Sequence, residues 1–190
     1  MHFSKINITA LSLLTVLSSF SSTAEQANIA MLKTEAISII KEFGGTLKPQ
    51  LKKALNEGGV SQAMKVCSIK APQIAKELSQ KTQWQVKRVS LKTRNNKTAK
   101  ADLWETSVLD QFNQRQRQGE KAKTIAKAEI VNSEFRFMKA QGVAPLCLTC
   151  HGTKLSDKTK SALKHYYPDD QATGYTLGQI RGAFSLTKKL

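Results

Sequence analysis

Cys147-Leu148-Thr149-Cys150-His151 sets two thiols two residues apart, followed at once by an imidazole. This is the pattern that attaches a c-type haem. Each cysteine can add across one vinyl group of the porphyrin, and the two thioether links then hold the ring against the backbone. The histidine that follows falls beneath the iron as an axial ligand. The chain has three cysteines, and an odd number fits a disulfide framework poorly. If Cys147 and Cys150 are consumed by haem, Cys67 is left as a lone thiol. Val60, Ala63, Met64, Cys67, Ala71, Ile74, Ala75 and Leu78 recur at helical spacing, so Cys67 sits on the apolar face of a helix. Two fates are open to it: a small buried hydrophobe, or the second axial ligand to iron. Met64, one turn earlier on the same face, is a rival ligand, and His165 and Met138 are further rivals. A Cys3His zinc site from Cys67, Cys147, Cys150 and His151 is a remote alternative.

The elements that must position these residues read as mixed α/β (α+β). Residues 1–24 have the form of a secretory signal peptide: Lys5 in the first segment, an uncharged apolar run from Ile8 to Phe20, and small residues up to Ala24. The run is short for a membrane span, so a soluble periplasmic protein is expected, with residues 25–190 as one domain. Glu25 to Phe43 reads as a long N-terminal helix ending at Gly44-Gly45, followed by a short helix from Thr46 to Asn56. In the Cys67 segment Ser61 is a cap candidate, and Pro72 is expected to kink or divide the helix. Trp84 to Leu91 reads as a strand with one phase slip, the mark of a bulge. Asp102 and Glu105 form a capping box for a helix through Val108, Leu109 and Phe112. Two β-prone runs, Thr124 to Val131 and Glu134 to Ala140, flank a hairpin turn at Asn132-Ser133. The Cys-X-X-Cys-His motif is expected in a loop, followed by a short helix from Asp157 to Tyr166.

Lys and Arg number 30 against 14 Asp and Glu, a net charge of +16 that falls by one if Lys5 leaves with the leader. Outside the cytoplasm such a balance favours an acidic redox or signalling protein, or contact with an anionic membrane surface, rather than nucleic acid. There is no nucleophile–base arrangement, phosphate loop or second metal motif, so the chain does not read as an enzyme.

Several segments taken in order carry a family resemblance. They are Cys67-Ser68-Ile69-Lys70-Ala71-Pro72, then Arg88-Val89-Ser90-Leu91-Lys92 with Arg94-Asn95, then Asp102-Leu103-Trp104-Glu105. Cys147 to Gly152 follows, and the closing run from Tyr167 to Ser185 completes the series. In that run Tyr167-Pro168, Asp170, Ala172, Gly174-Tyr175, Gly178 and Ile180-Arg181-Gly182-Ala183 are the resembling positions. The chain resembles the single-haem c-type cytochromes with a PAS-like fold, found alone or joined to sensor kinases. The resemblance implies an antiparallel sheet flanked by helices and one covalent haem c. It also implies a proximal histidine at His151 and a cysteine ligand at Cys67. It departs from the family after Arg94-Asn95, where Asn96 to Lys100 lacks the usual prolines, which implies a looser loop.

Arg94, Arg181 and Tyr175 are donors of the right type for the haem propionates. Asp169-Asp170 after Pro168 reads as a turn or helix cap. Lys65, Lys70 and Arg88 are the cations expected to keep a Cys67 thiolate charged. A thiolate stabilises ferric iron, so reduction is expected to loosen Cys67 and admit a diatomic gas. Two uses follow: redox or gas sensing through a separate partner, or electron transfer, the latter in an ordinary His/Met form if Met64 is the ligand. A homodimer through the N-terminal helix is a further expectation.

Overall fold

The computed structural model describes residues 17–190, with side chains described from Glu25 onward. The first sixteen residues of the segment read as a signal peptide lie outside the described residues. Helix α1 spans Leu17–Thr82, and its course is broken at Gly59 (φ 64°, ψ −158°). The two arms fold back on each other there. Leu32, Ala36, Ile39, Phe43 and Leu47 of the first arm share a core with Ala71, Ile74 and Leu78 of the second. Glu42 and Lys81, 39 residues apart, close the hairpin with a 2.8 Å ion pair.

The expected helix end at Gly44-Gly45 is therefore corrected, as is the division at Pro72. Phe43 and Leu47 continue the apolar stripe straight through the glycines. The packing that stripe makes outweighs the roughly 1 kcal/mol per residue that glycine costs a helix. Pro49 and Pro72 both lie inside α1. The reversal falls at Gly59 because its backbone angles are open to glycine and strained for any residue with a Cβ.

Strand β1 (Gln85–Val89) opens a four-stranded antiparallel sheet of order β1-β4-β3-β2. Helix α2 (Leu103–Arg117) starts at the expected capping box. Asp102 accepts from the Glu105 backbone N–H at 2.8 Å, and Glu105 accepts from the Asp102 N–H at 2.9 Å. Strands β2 (Ala126–Val131) and β3 (Glu134–Gly142) form the expected hairpin, with positive φ at both Asn132 and Ser133. Strand β4 (Ile180–Lys189), for which the sequence pattern predicts no element, inserts between β1 and β3 and is the hub of the sheet.

The phase slip read in β1 is not a bulge; its register against β4 is continuous. Val86 packs with the α1 face and Val89 with the α2 face, because the sheet is buried on both sides. The register shift lies instead in β3, between Gln141 and Gly142. Thus the layers are the α1 hairpin, the sheet and α2. The Cys-X-X-Cys-His segment forms a 3-10 turn, Pro145–Cys147, and a single helical turn, α3 (Leu148–His151), rather than an open loop. Helix α4 (Asp157–Tyr166), capped by Ser156, packs back on α1. Among the described residues no helix is long and apolar enough to cross a membrane.

Candidate haem site

The α1 hairpin, the loop after β1, α3 and the loop before β4 meet around His151. The connection is tied at the backbone: Tyr175 N–H donates to His151 O at 2.9 Å, Gly174 N–H to Gly152 O at 3.0 Å, and Gln171 N–H to Thr93 O at 2.8 Å. These three bonds hold the closing segment against both the Cys-X-X-Cys-His turn and the basic loop. That loop, expected to be loose for want of prolines, is anchored through Arg94. Its guanidinium engages Asp170 by two bonds (Nε–Oδ1 3.0 Å, Nη2–Oδ2 3.2 Å), and it also donates to Cys150 O and, at 3.2 Å, to Ala172 O.

His151 lies half-buried with its ring between these groups. Its Nδ1 is 2.6 Å from Ala172 O and 3.1 Å from Arg181 Nε, while its Nε2 is 3.3 Å from Arg94 Nη1. One hydrogen on Nδ1 cannot serve both neighbours. The short carbonyl contact requires the proton on Nδ1, so that Nδ1–H donates to Ala172 and Arg181 is a neighbouring charge rather than a donor. Burial, reinforced by Arg181 and Arg94, pushes the His151 pKa down to about 2. The ring is therefore neutral, with its lone pair on Nε2, which is the form that ligates a metal.

Three arginines converge here. Arg88 stacks 5.1 Å over the Phe43 ring, and burial pulls the pKa of Arg88 down. Arg181 is pushed to about 10, first by burial. Among the described residues Asp170 is the only carboxylate that forms an ion pair with any of the three, and its partner is Arg94. Two guanidinium charges are thus left without a carboxylate counterpart.

Cys67 is brought to this cluster from the second arm of α1. Burial raises its pKa, and the positive charges of Arg88, Arg94 and Arg181 oppose the rise. Of the three cations expected to act on it only Arg88 does so; Lys65 and Lys70 are exposed to solvent. The Cys150 thiol is likewise raised by burial, with Cys67 and Cys147 among the neighbours that add to the rise. Tyr167, pushed up to about 12 by burial and then by Cys67, lies beside the same cluster, with Arg94 5.9 Å from its ring centroid.

The rival ligands separate. Met64 is buried in an apolar cluster with Cys150, Leu163 and Tyr167, close to the motif but beneath α4. Met138 faces α2 across the sheet, packed with Val108, Leu109 and Phe112. His165 is exposed, edge-on to Tyr166 at 4.6 Å. Tyr175 and Arg181 both reach the site: the Tyr175 ring stands edge-on to His151 at 6.4 Å, and the Tyr175 hydroxyl donates to Arg181 O at 3.4 Å. No group of three or more His, Cys, Asp or Glu side chains is gathered as a metal would require among the described residues, so the Cys3His zinc arrangement is not assembled. The sequence reading passed over Asp170 as a turn residue and did not include Tyr167; the only local signal for either was its place in the closing run.

An α+β chain with a two-armed helix on one face of an antiparallel sheet, one helix on the other and a Cys-X-X-Cys-His turn at the sheet's end is consistent with a PAS-like fold. The chain belongs to the Tll0287-like family, whose model matches residues 14–188, in agreement with the resemblance read from the sequence. Among solved structures the cyanobacterial haem protein Tll0287 is similar, with 23% identity and a TM-score of 0.64 over 84% of this chain and 95% of that one. At that identity the likeness shows the fold. No curated protein matches this chain.

Proposed function

We propose that this chain is an exported single-haem c-type cytochrome, with haem attached through Cys147 and Cys150 and with His151 and Cys67 as axial ligands. The observation that carries this reading is His151 itself. It is neutral, with Nδ1–H spent on Ala172 and Nε2 available, in the residue directly after two thiols on one helical turn. The residues fit the group: Arg88 and Arg181 have no carboxylate partner among the described residues and suit a dianion bearing two propionates, for which Arg181 and Tyr175 are the proposed donors, with Arg94 held by Asp170 beside them. The name of the cyanobacterial haem protein adds support. The bound iron would supply one-electron redox chemistry and a ligand position that can open.

Cys67 is favoured over Met64 as second ligand because it lies among the arginine charges, whereas Met64 is packed in an apolar cluster. With Cys67 on the iron, the protein acts in redox or gas sensing or low-potential electron transfer through an acidic protein partner, and not as an enzyme. A His/Met electron carrier is the alternative, and the buried Met64 beside Cys150 is what keeps it in view.

The test is the absorption spectrum of the full chain exported alongside a haem c maturation system, oxidised and reduced, with C67A and M64A. A covalent haem with a low-spin thiolate signature lost in C67A and kept in M64A is expected. A signature lost in M64A alone would move the ligand to Met64. Absence of a Soret band would end the haem reading.

A further inference from the structure

Strand β2 is an outer strand of the sheet. Val131 and Glu134 close the two-residue turn at Asn132-Ser133, so Val131, Glu129 and Lys127 direct their backbone N–H and C=O groups at β3. The same alternation reaches Ile125, whose carbonyl accepts from the Ala140 N–H at 3.1 Å. Ala126, Ala128 and Ile130 therefore direct theirs away from the sheet. Arg115 agrees with this parity from outside, since its Nη1 donates to Ala126 O at 3.2 Å. Among the described residues no group bonds the backbone of Ala128 or Ile130 on that side. The opposite edge is met by α1, where the Val86 N–H of β1 donates to Ser79 Oγ at 3.0 Å.

We propose that β2 pairs antiparallel with β2 of a second copy of this chain, about a two-fold axis at Ala128, joining two four-stranded sheets into one. Outward-directed groups must meet outward-directed groups, so Ala126, Ala128 and Ile130 can oppose only one another. Among the registers this leaves, an axis at Lys127 opposes two lysines and an axis at Glu129 opposes two glutamates. An axis at Ala128 sets Lys127 opposite the partner's Glu129 and Glu129 opposite the partner's Lys127. Within one chain these side chains already pair at 3.3 Å, on the side of the sheet where Trp104 of α2 also holds Glu129, so the axis gathers four alternating charges. On the other side Ile130, 41% exposed, falls across from the partner's Ala126 and is covered. The Ala126 carbonyl keeps Arg115 and has a second lone pair for the partner's Ile130. A lone lysine on an edge strand blocks such pairing. Lys127 followed by Glu129 blocks the two neighbouring registers and favours this one. The pairing does not rest on the haem reading.

The experiment is sedimentation equilibrium of the exported full chain, from about 10 μM to about 1 mM, for wild type, K127E, E129K, the double variant K127E/E129K and A128P. Wild type is expected to dimerise within that range. K127E and E129K each turn two attractive cross-strand pairs into repulsive ones, and each should weaken the dimer about tenfold. The double variant restores opposite charges across the axis and should return to within about threefold of wild type. A128P removes an N–H that β3 does not use, so the hairpin is kept and the dimer is lost. A wild type that stays monomeric throughout would overturn the proposal. So would a dimer that A128P leaves at full strength, or a double variant as weak as the single ones. If A128P fails to fold, the three charge variants still decide, because both side chains lie at the solvent edge of the strand.

Discussion

Replacing Gly45 and Gly59 one at a time by alanine should change stability in opposite directions. Gly45 is exposed and helical, and a Cβ built on it would meet nothing within 4 Å. Alanine there gains helix propensity and loses nothing, so G45A should stabilise by about 0.5–1 kcal/mol. Gly59 also has open space around a Cβ, so no clash confuses the result. Its φ of 64° with ψ of −158° is a region essentially closed to residues with a side chain. G59A should therefore cost about 1–3 kcal/mol through backbone strain alone. For a chain of this length each kcal/mol moves Tm by about 2–4 °C. G45A should then melt about 1–4 °C above wild type and G59A about 2–12 °C below it. Thermal melts and urea titrations by circular dichroism at 222 nm would measure both, in one cofactor state and with unchanged urea dependence. A destabilised G45A would refute the reasoning, because that is the behaviour of a left-handed glycine closing a helix. A neutral G59A would equally remove the hairpin that returns Cys67 to His151.

Glu105 is fully buried, accepting from Ser185 at 2.6 Å and Lys87 at 3.0 Å, with Arg136 at 3.6 Å. E105A leaves Lys87 without its carboxylate and Ser185 without its acceptor as well as opening the capping box, while Arg136 keeps Asp102, so a loss of about 3–5 kcal/mol by urea titration is expected; a loss under about 1 kcal/mol would show the network to be idle. Glu35 is held below its ordinary 4.5, first by the Lys188 ammonium and then by the Trp84 indole N–H. Its folded pKa is depressed, so its contribution is present above the unfolded value and is lost as pH falls through the folded one. Stability measured from pH 7 down to 3 should fall less steeply for E35Q than for wild type; superimposable profiles would count against it. The site is half-exposed to solvent on this flank, so the effect is modest and weakens in salt.

What the sequence by itself determined is local. Cys147, Cys150 and His151 carry the proposed haem attachment in their spacing. The Asp102–Glu105 box and the Asn132-Ser133 turn need only neighbours three or four residues away, and both of these are found as read. The helical face bearing Met64 and Cys67 was legible for the same reason, since its period depends on one helix. Tertiary structure decided the rest. Gly44-Gly45 stops a helix in isolation, but Phe43 and Leu47 find Ala71 and Ile74 in the second arm and carry it onward. Val86 and Val89 look like a phase slip until helices cover both faces of the sheet. Strand β4 has its pattern blurred by the same double burial, and only pairing with β1 and β3 makes it the centre. Asp170 reads as a turn residue because its second task depends on Arg94, 76 residues away. A charge set by partners distant in sequence leaves no local pattern, and the ring of His151 is oriented by contacts of that kind.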